Sequence, residues 1–191
     1  MMKKPIDISR LFFRAGICLL AAAGLLLIFW NGSVHIARQK AAAYVSALES
    51  AMPPRVNAVP EARQTNAMPV YYLDGKDFIG ILEMPRYQLT LPVGNDWGEQ
   101  FPCRFTGSVY DETIQIGATT QKGQFDFYRE LTVGDEVLFT DMEGSRFSYQ
   151  ITDIRYARHA DPETLQQKDG ALVLFIQNIY ALEYVILYCN D

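Results

Sequence analysis

The sequence predicts a mainly β protein, a closed eight-stranded barrel with short helices, preceded by an N-terminal transmembrane helix. Three observations carry this expectation. An uncharged apolar run, AGICLLAAAGLLLIFW, fills residues 15–30. After residue 70, short apolar runs recur roughly every ten positions between turn residues, the punctuation of an all-β domain. Among these runs, 171–177 (ALVLFIQ) is almost continuously apolar, as a strand buried on both faces must be.

At 191 residues the chain is long enough for one well-buried domain plus an anchor. The formal net charge of −5 hides an asymmetry. Lys3, Lys4, Arg10 and Arg14 face only Asp7 at the N-terminus, whereas residues 71–191 carry 19 acidic and 9 basic side chains. An acidic outer domain without a basic stripe argues against a nucleic-acid partner. Three cysteines (Cys18, Cys103, Cys189) match no zinc spacing, and two histidines (His35, His159) are too few for a histidine-rich metal site. Neither a metal nor a cofactor is expected.

In chain order, residues 1–14 read as a cytoplasmic N-terminus and 15–33 as the anchor. With residues 11–13, and Arg14 snorkelling to the interface, about twenty residues are available, enough to cross a bilayer as a helix. No small-x-small site closes the run, which points to an uncleaved anchor rather than a removed signal. The preceding bases keep the N-terminus inside, so everything after the span lies outside the cell. Residues 34–70 read as a juxtamembrane helix and linker. The alanine-rich stretch 34–52, with apolar Ile36, Ala37, Val45 and Leu48, suits a helix that Pro53 and Pro54 end. Residues 55–70, with Pro60 and Pro69 and no apolar period, read as a linker that gives the outer domain reach.

Residues 71–191 form the extracellular barrel. Runs 78–84 (FIGILEM) and 87–93 (YQLTLPV) are two strands broken by Pro85, followed by a helical turn over 95–101 around Trp97. Runs 103–108 and 113–118 are strands joined by a turn at Tyr110, Asp111 and Glu112. The connection 121–131 contains a helical turn, since Phe125, Tyr128 and Leu131 are three apart. Strand 136–141 (EVLFTD) leads to strand 146–154, where Phe147, Tyr149 and Ile151 alternate. A polar connection then passes His159 and Asp161 to Gly170, before strands 171–177 and 184–189.

This order of elements resembles the sortase family, the membrane-anchored cysteine transpeptidases of Gram-positive bacterial surfaces. The resemblance covers residues 78–189. IGILEMPRYQLTLPV is similar to the family's opening strands, PCRFTGS to its Pro-Cys-Arg-Tyr-x-Gly-Ser stretch, and QFDFYRELTVGDEVLFTDMEGSRFSYQI to its middle strands. The resemblance implies a chemistry of three groups. A cysteine attacks the threonine carbonyl of a Leu-Pro-x-Thr-Gly type sorting signal, a histidine manages the leaving amine's proton, and an arginine stabilises the oxyanion. Carried onto this chain, the histidine position falls on Thr119, or on Ala118 with a one-residue slip. The cysteine position falls on Gln177 and the arginine position on Tyr184, beside Glu183.

The resemblance therefore implies a sortase-like pseudoenzyme on the cell membrane. It would bind a sorting-signal-like peptide or a cell-surface protein, or assist an active sortase. Tyr180, Tyr184 and Phe125 are the candidate ligand-contacting aromatics, and the connection 155–169 would shape a groove. The alternative is an active sortase-type transpeptidase or hydrolase with relocated groups, pairing Cys103 or Cys189 with His159. Otherwise those cysteines are small buried groups or a disulfide pair, which is chemically permitted outside the cell.

Overall fold

The computed structural model describes residues 8–57, 67–96, 98, 101–121, 123–158, 170–178 and 182–191. Residues 8–51 form a single helix, α1 (Ile8–Ala51), so the expected anchor and juxtamembrane helix are one continuous element. The expected anchor closes on Asn31, Gly32 and Ser33, weak helix formers whose cost is small once a long helix is already propagating. Pro53 and Pro54 follow its end, as their geometry requires. By length and composition α1 is apolar enough to cross a membrane. Its last turns instead meet protein: Ala41, Val45 and Leu48, spaced by four and three, are buried, whereas Ile36 is 66% exposed. Burying Leu48 alone contributes about 2 kcal/mol, and the Tyr44 ring packs at 5.4 Å from Phe78 and 5.2 Å from Phe101.

Ten strands follow: β1 (Val56–Asn57), β2 (Tyr71–Leu73), β3 (Lys76–Met84), β4 (Leu89–Gly94), β5 (Cys103–Gly107), β6 (Ile114–Thr119), β7 (Glu136–Asp141), β8 (Ser145–Ala157), β9 (Leu172–Asn178) and β10 (Glu183–Asn190). Pairing runs β3-β4-β5-β6-β9-β10-β8 and returns through β7, which bonds both β8 and β3. The eight strands expected from the sequence thus close into a barrel. The two additions, β1 and β2, are edge pieces on β8 and β3, too short and too exposed to leave an apolar pattern. The closing seam needs Gly80: a Cβ there would stand 2.2 Å from the Thr140 carbonyl oxygen of β7.

The barrel interior takes Leu172, Leu174 and Ile176 from β9, Val185, Leu187 and Cys189 from β10, and Ile114, Ile116 and Ala118 from β6. Alternation then sends Val173 and Phe175 of β9 and Ile186 and Tyr188 of β10 into a second cluster on the outer face. β9 is therefore buried on both sides, as its composition required.

Some boundaries differ from expectation. The second strand starts at Leu89 rather than residue 87, because Pro85–Tyr87 form a 3-10 turn that closes at Gln88 in the left-handed region (φ 51). β8 runs on to Ala157 because β10 keeps pairing with it beyond the apolar alternation. The turn in 121–131 is present as Tyr128–Glu130, with Phe125, Tyr128 and Leu131 all buried. Trp97 lies outside the described residues, as do residues 1–7 of the expected cytoplasmic terminus and 58–66 of the expected linker.

Two buried carboxylates fasten the turns. Asp141 Oδ1 accepts from the N–H groups of Glu143 (2.9 Å) and Ser145 (2.8 Å), and its Oδ2 from the Tyr110 hydroxyl. Asp135 accepts from Arg86 Nη1 (2.5 Å), the Tyr87 hydroxyl (2.6 Å) and the Thr132 N–H (2.8 Å), tying the β3–β4 connection to β7. Burial pushes the Asp135 carboxyl up, but the hydrogen bonds from Tyr87, Thr132 and Arg86 together outweigh it and hold the group below its ordinary range. Burial, reinforced by the bond to Asp135, pushes the Tyr87 phenol up to about 12.

A carboxyl depressed in the folded state adds stability above its unfolded pKa of about 3.9 and loses it as pH falls through the folded value. Asp135→Asn is expected to cost about 1–3 kcal/mol at pH 7 and to flatten the loss of stability towards pH 3. Urea unfolding of the detergent-solubilised chain across that range measures both, and an unchanged acid slope would exclude Asp135 as its source.

Candidate functional site

The parallel pair β6·β9 sets Thr119 opposite Gln177, and the antiparallel pair β9·β10 sets Gln177 opposite Tyr184. Ala118, Ile176 and Val185, one residue away on each strand, fill the barrel interior. Thr119, Gln177 and Tyr184 therefore stand in one row on the outer face, since successive side chains on a strand alternate. Of the two registers open for the first position, the structure puts Thr119 in the row and Ala118 in the core.

The row is half-buried and linked. Gln177 Nε2 donates to the Tyr184 hydroxyl (3.1 Å), and the Thr120 N–H donates to the Gln177 carbonyl oxygen (2.9 Å). Thr119 Oγ1 is buried with no hydrogen-bond partner among the described residues, which for a hydroxyl costs about 1–3 kcal/mol. Asn178, next on β9 and pointing to the interior side, donates through Nδ2 to the Tyr128 hydroxyl (2.8 Å), which also accepts from Arg129 Nε (2.9 Å). That bond braces the end of β9 against the 3-10 turn after β6. Sequence reasoning passed over Asn178, because a polar residue closing an apolar strand looks like an exit to solvent.

Chemically the row offers a hydroxyl, a primary amide and a phenol. An amide is not a nucleophile, a threonine hydroxyl does not carry protons near neutral pH, and a phenol donates one hydrogen bond without positive charge. The set is suited to hydrogen bonds with a polypeptide backbone or polar side chain.

The other candidates are dispersed. Phe125, proposed as a ligand contact, is fully buried in the core, 6.1 Å from Phe127. Its spacing of three with Tyr128 and Leu131 marks the inward side of the connection. Tyr180 and His159 lie outside the described residues, and so does most of the connection expected to shape a groove.

Cys103 and Cys189, considered as a disulfide, are free thiols. β5 and β10 are separated by β6 and β9, so three strand spacings put the two cysteines about 14 Å apart along the wall, twice the Cα separation that a disulfide spans. Burial pushes both thiols up, Cys189 to about 12; the Gly98 N–H, 3.4 Å from Cys103 Sγ, opposes this only in part. Neither is in an environment that favours a thiolate. No group of three or more His, Cys, Asp or Glu that could hold a metal is gathered among the described residues.

No family model and no curated protein sequence matches the chain. Solved structures do match. Sortase C-3 from Streptococcus pneumoniae superposes with a TM-score of 0.51 at 17% identity, over 83% of this chain and 83% of that one. Sortase C1 from Streptococcus agalactiae gives 0.51 at 16% identity, over 61% and 68%. Sortase C from Clostridium perfringens, determined with a C-terminal cell wall sorting motif, gives 0.50 at 16% identity, over 59% and 69%. The fold is sortase-like.

With Cys18 replaced by serine, the folded chain is expected to leave its two remaining thiols unmodified by a small aromatic disulfide reagent and to expose both on denaturation. Fast modification of either thiol in the folded protein would show that burial does not control its reactivity.

Proposed function

We propose that this chain, whose fold is sortase-like, is a membrane-anchored extracellular pseudoenzyme. It binds a sorting-signal-like peptide or a cell-surface protein, either for itself or in support of an active sortase. The observation that carries the reading is the row Thr119–Gln177–Tyr184. Three neighbouring strands hold these side chains together at the positions where the resemblance expects histidine, cysteine and arginine. The frame of the site is kept, and the groups in it bind rather than react. The half-buried Gln177 amide and Tyr184 hydroxyl support this, because both can hydrogen-bond a ligand's polar atoms. The anchor role of α1 and the outward placement of the barrel belong to the same reading.

The alternative of relocated catalysis asks Cys103 or Cys189 to act as a thiolate. Both are buried with raised pKa values, and Cys189 sits inside the barrel.

Incubation with a Leu-Pro-x-Thr-Gly peptide and an amine acceptor is expected to give neither cleavage nor transfer, with or without thiol alkylation. Turnover that alkylation abolishes would overturn the reading. In fluorescence anisotropy with the same labelled peptide, Tyr184→Ala is expected to weaken binding about tenfold, or ~1.4 kcal/mol, by removing one donor and freeing Gln177. Equal affinity of the two proteins would place the ligand elsewhere.

A further inference from the structure

The part of α1 that leaves the barrel meets the connection that follows β6. Gly123, four residues beyond Thr119, has a φ of +79 and lies so close to α1 that a Cβ there would stand 2.9 Å from Arg38 Cγ and 3.5 Å from the Val34 carbonyl oxygen. A side chain at this position would force the Arg38 side chain to shift and would sit in van der Waals contact with the helix backbone. Further along, Ala41, Val45 and Leu48 are buried in the barrel's core. Beyond the helix end, Arg55 pairs with Glu49 and, at 3.3 Å, with Glu83, which Arg146 of β8 also holds at 3.1 Å. The Val56 N–H then bonds the Gly144 carbonyl (2.9 Å), and β1 pairs with β8.

Residues 34–57 are thus fastened to the barrel at both ends, and α1 continues unbroken from Val34 back into its apolar part. The barrel does not hang on the stretch expected as a linker; the helix itself carries it. An α-helix advances about 1.5 Å per residue as a stiff rod, and four residues of chain cover at most about 14 Å. Thr119 therefore stands within roughly 25 Å of the point where the apolar part of α1 begins. At the same end as Thr119, Leu182 is 70% exposed just before β10, and Tyr156 is 55% exposed beside Ala157, the pairing partner of Tyr184. An exposed leucine and tyrosine suit the headgroup region of a bilayer better than open water.

We infer that α1 is a rigid stalk that seats the barrel on a lipid surface, with the Thr119–Gln177–Tyr184 end turned towards the bilayer and within about 25 Å of it. The inference rests on the reading of α1 as a membrane span. It narrows the partner, since a segment reaching the row must itself lie close to the membrane, as the juxtamembrane part of another anchored polypeptide does.

The test uses the full chain carrying Cys18→Ser in vesicles of phosphatidylglycerol and phosphatidylethanolamine with acceptor-labelled headgroups. A donor dye is placed by Leu182→Cys or, at the opposite end of β6, by Asp111→Cys. The dye at 182 is expected to lie nearer the lipid by on the order of 15 Å, the length of β6. A Gly/Ser insertion of about ten residues between Ser33 and Val34, which leaves the docked helix intact, is expected to erase that difference. Equal distances in the uninserted chain, or a difference that survives the insertion, would overturn the stalk. Release of the chain from the vesicles by alkaline carbonate would instead remove the membrane reading, and the inference with it.

Discussion

The register of β9 between β6 and β10 is the constraint on which the rest of this structure depends. β9 is buried on both faces, with Leu172, Leu174 and Ile176 inside the barrel and Val173 and Phe175 in the outer cluster. A slip of one residue against either neighbour would exchange these sets and carry Gln177 to the interior side, towards which the adjacent Asn178 points. Burial of five consecutive apolar side chains therefore fixes the register, and the register fixes what stands at the strand end. Thr119, Gln177 and Tyr184 form a row for that reason, and a single bond of 3.1 Å between the last two is enough to orient it.

The same constraint separates the groups that would be needed for other chemistry. Cys189 lies on β10 at a position that alternation sends inward, and Cys103 opens β5, two strands further round the wall from β10 than β9 is. Cys103 pairs with Gly117, two residues before Thr119 on β6, but its thiol is buried against Gly98, and Cys189 points into the barrel. A buried thiol in apolar surroundings is held in its neutral form, so cysteine content and nucleophilic capacity part company here. The row offers a hydroxyl, a primary amide and a phenol, with neither a thiol nor a charged side chain among them.

Most of the barrel strands were legible because they carry a period-two or fully apolar pattern that sheet burial explains; β5 is the exception, with Phe105 55% exposed. The turn at Tyr128 was legible in the spacing of Phe125, Tyr128 and Leu131. Three further features were not. β1 and β2 are two and three residues long and mostly exposed, so no apolar pattern records them. The start of β4 was misplaced because Tyr87 is apolar enough to pass for a strand residue, although its hydroxyl is committed to Asp135. The docking of α1 was half legible: Val45 and Leu48 were read as apolar positions, but alanines such as Ala41 are too small and too common in any helix to mark a contact face. Within the site, the resemblance picks out Gln177 and Tyr184, and the β9·β10 register makes them neighbours. Phe125 was assigned to a ligand on its aromatic character alone and proved to be core.

The central claim is that the row binds without reacting. Native mass spectrometry of the detergent-solubilised chain with excess sorting-signal peptide addresses both halves at once. The account predicts a chain–peptide complex that falls apart on denaturation and leaves the chain mass unchanged. An adduct that survives denaturation and maps to Cys103 or Cys189 would contradict it.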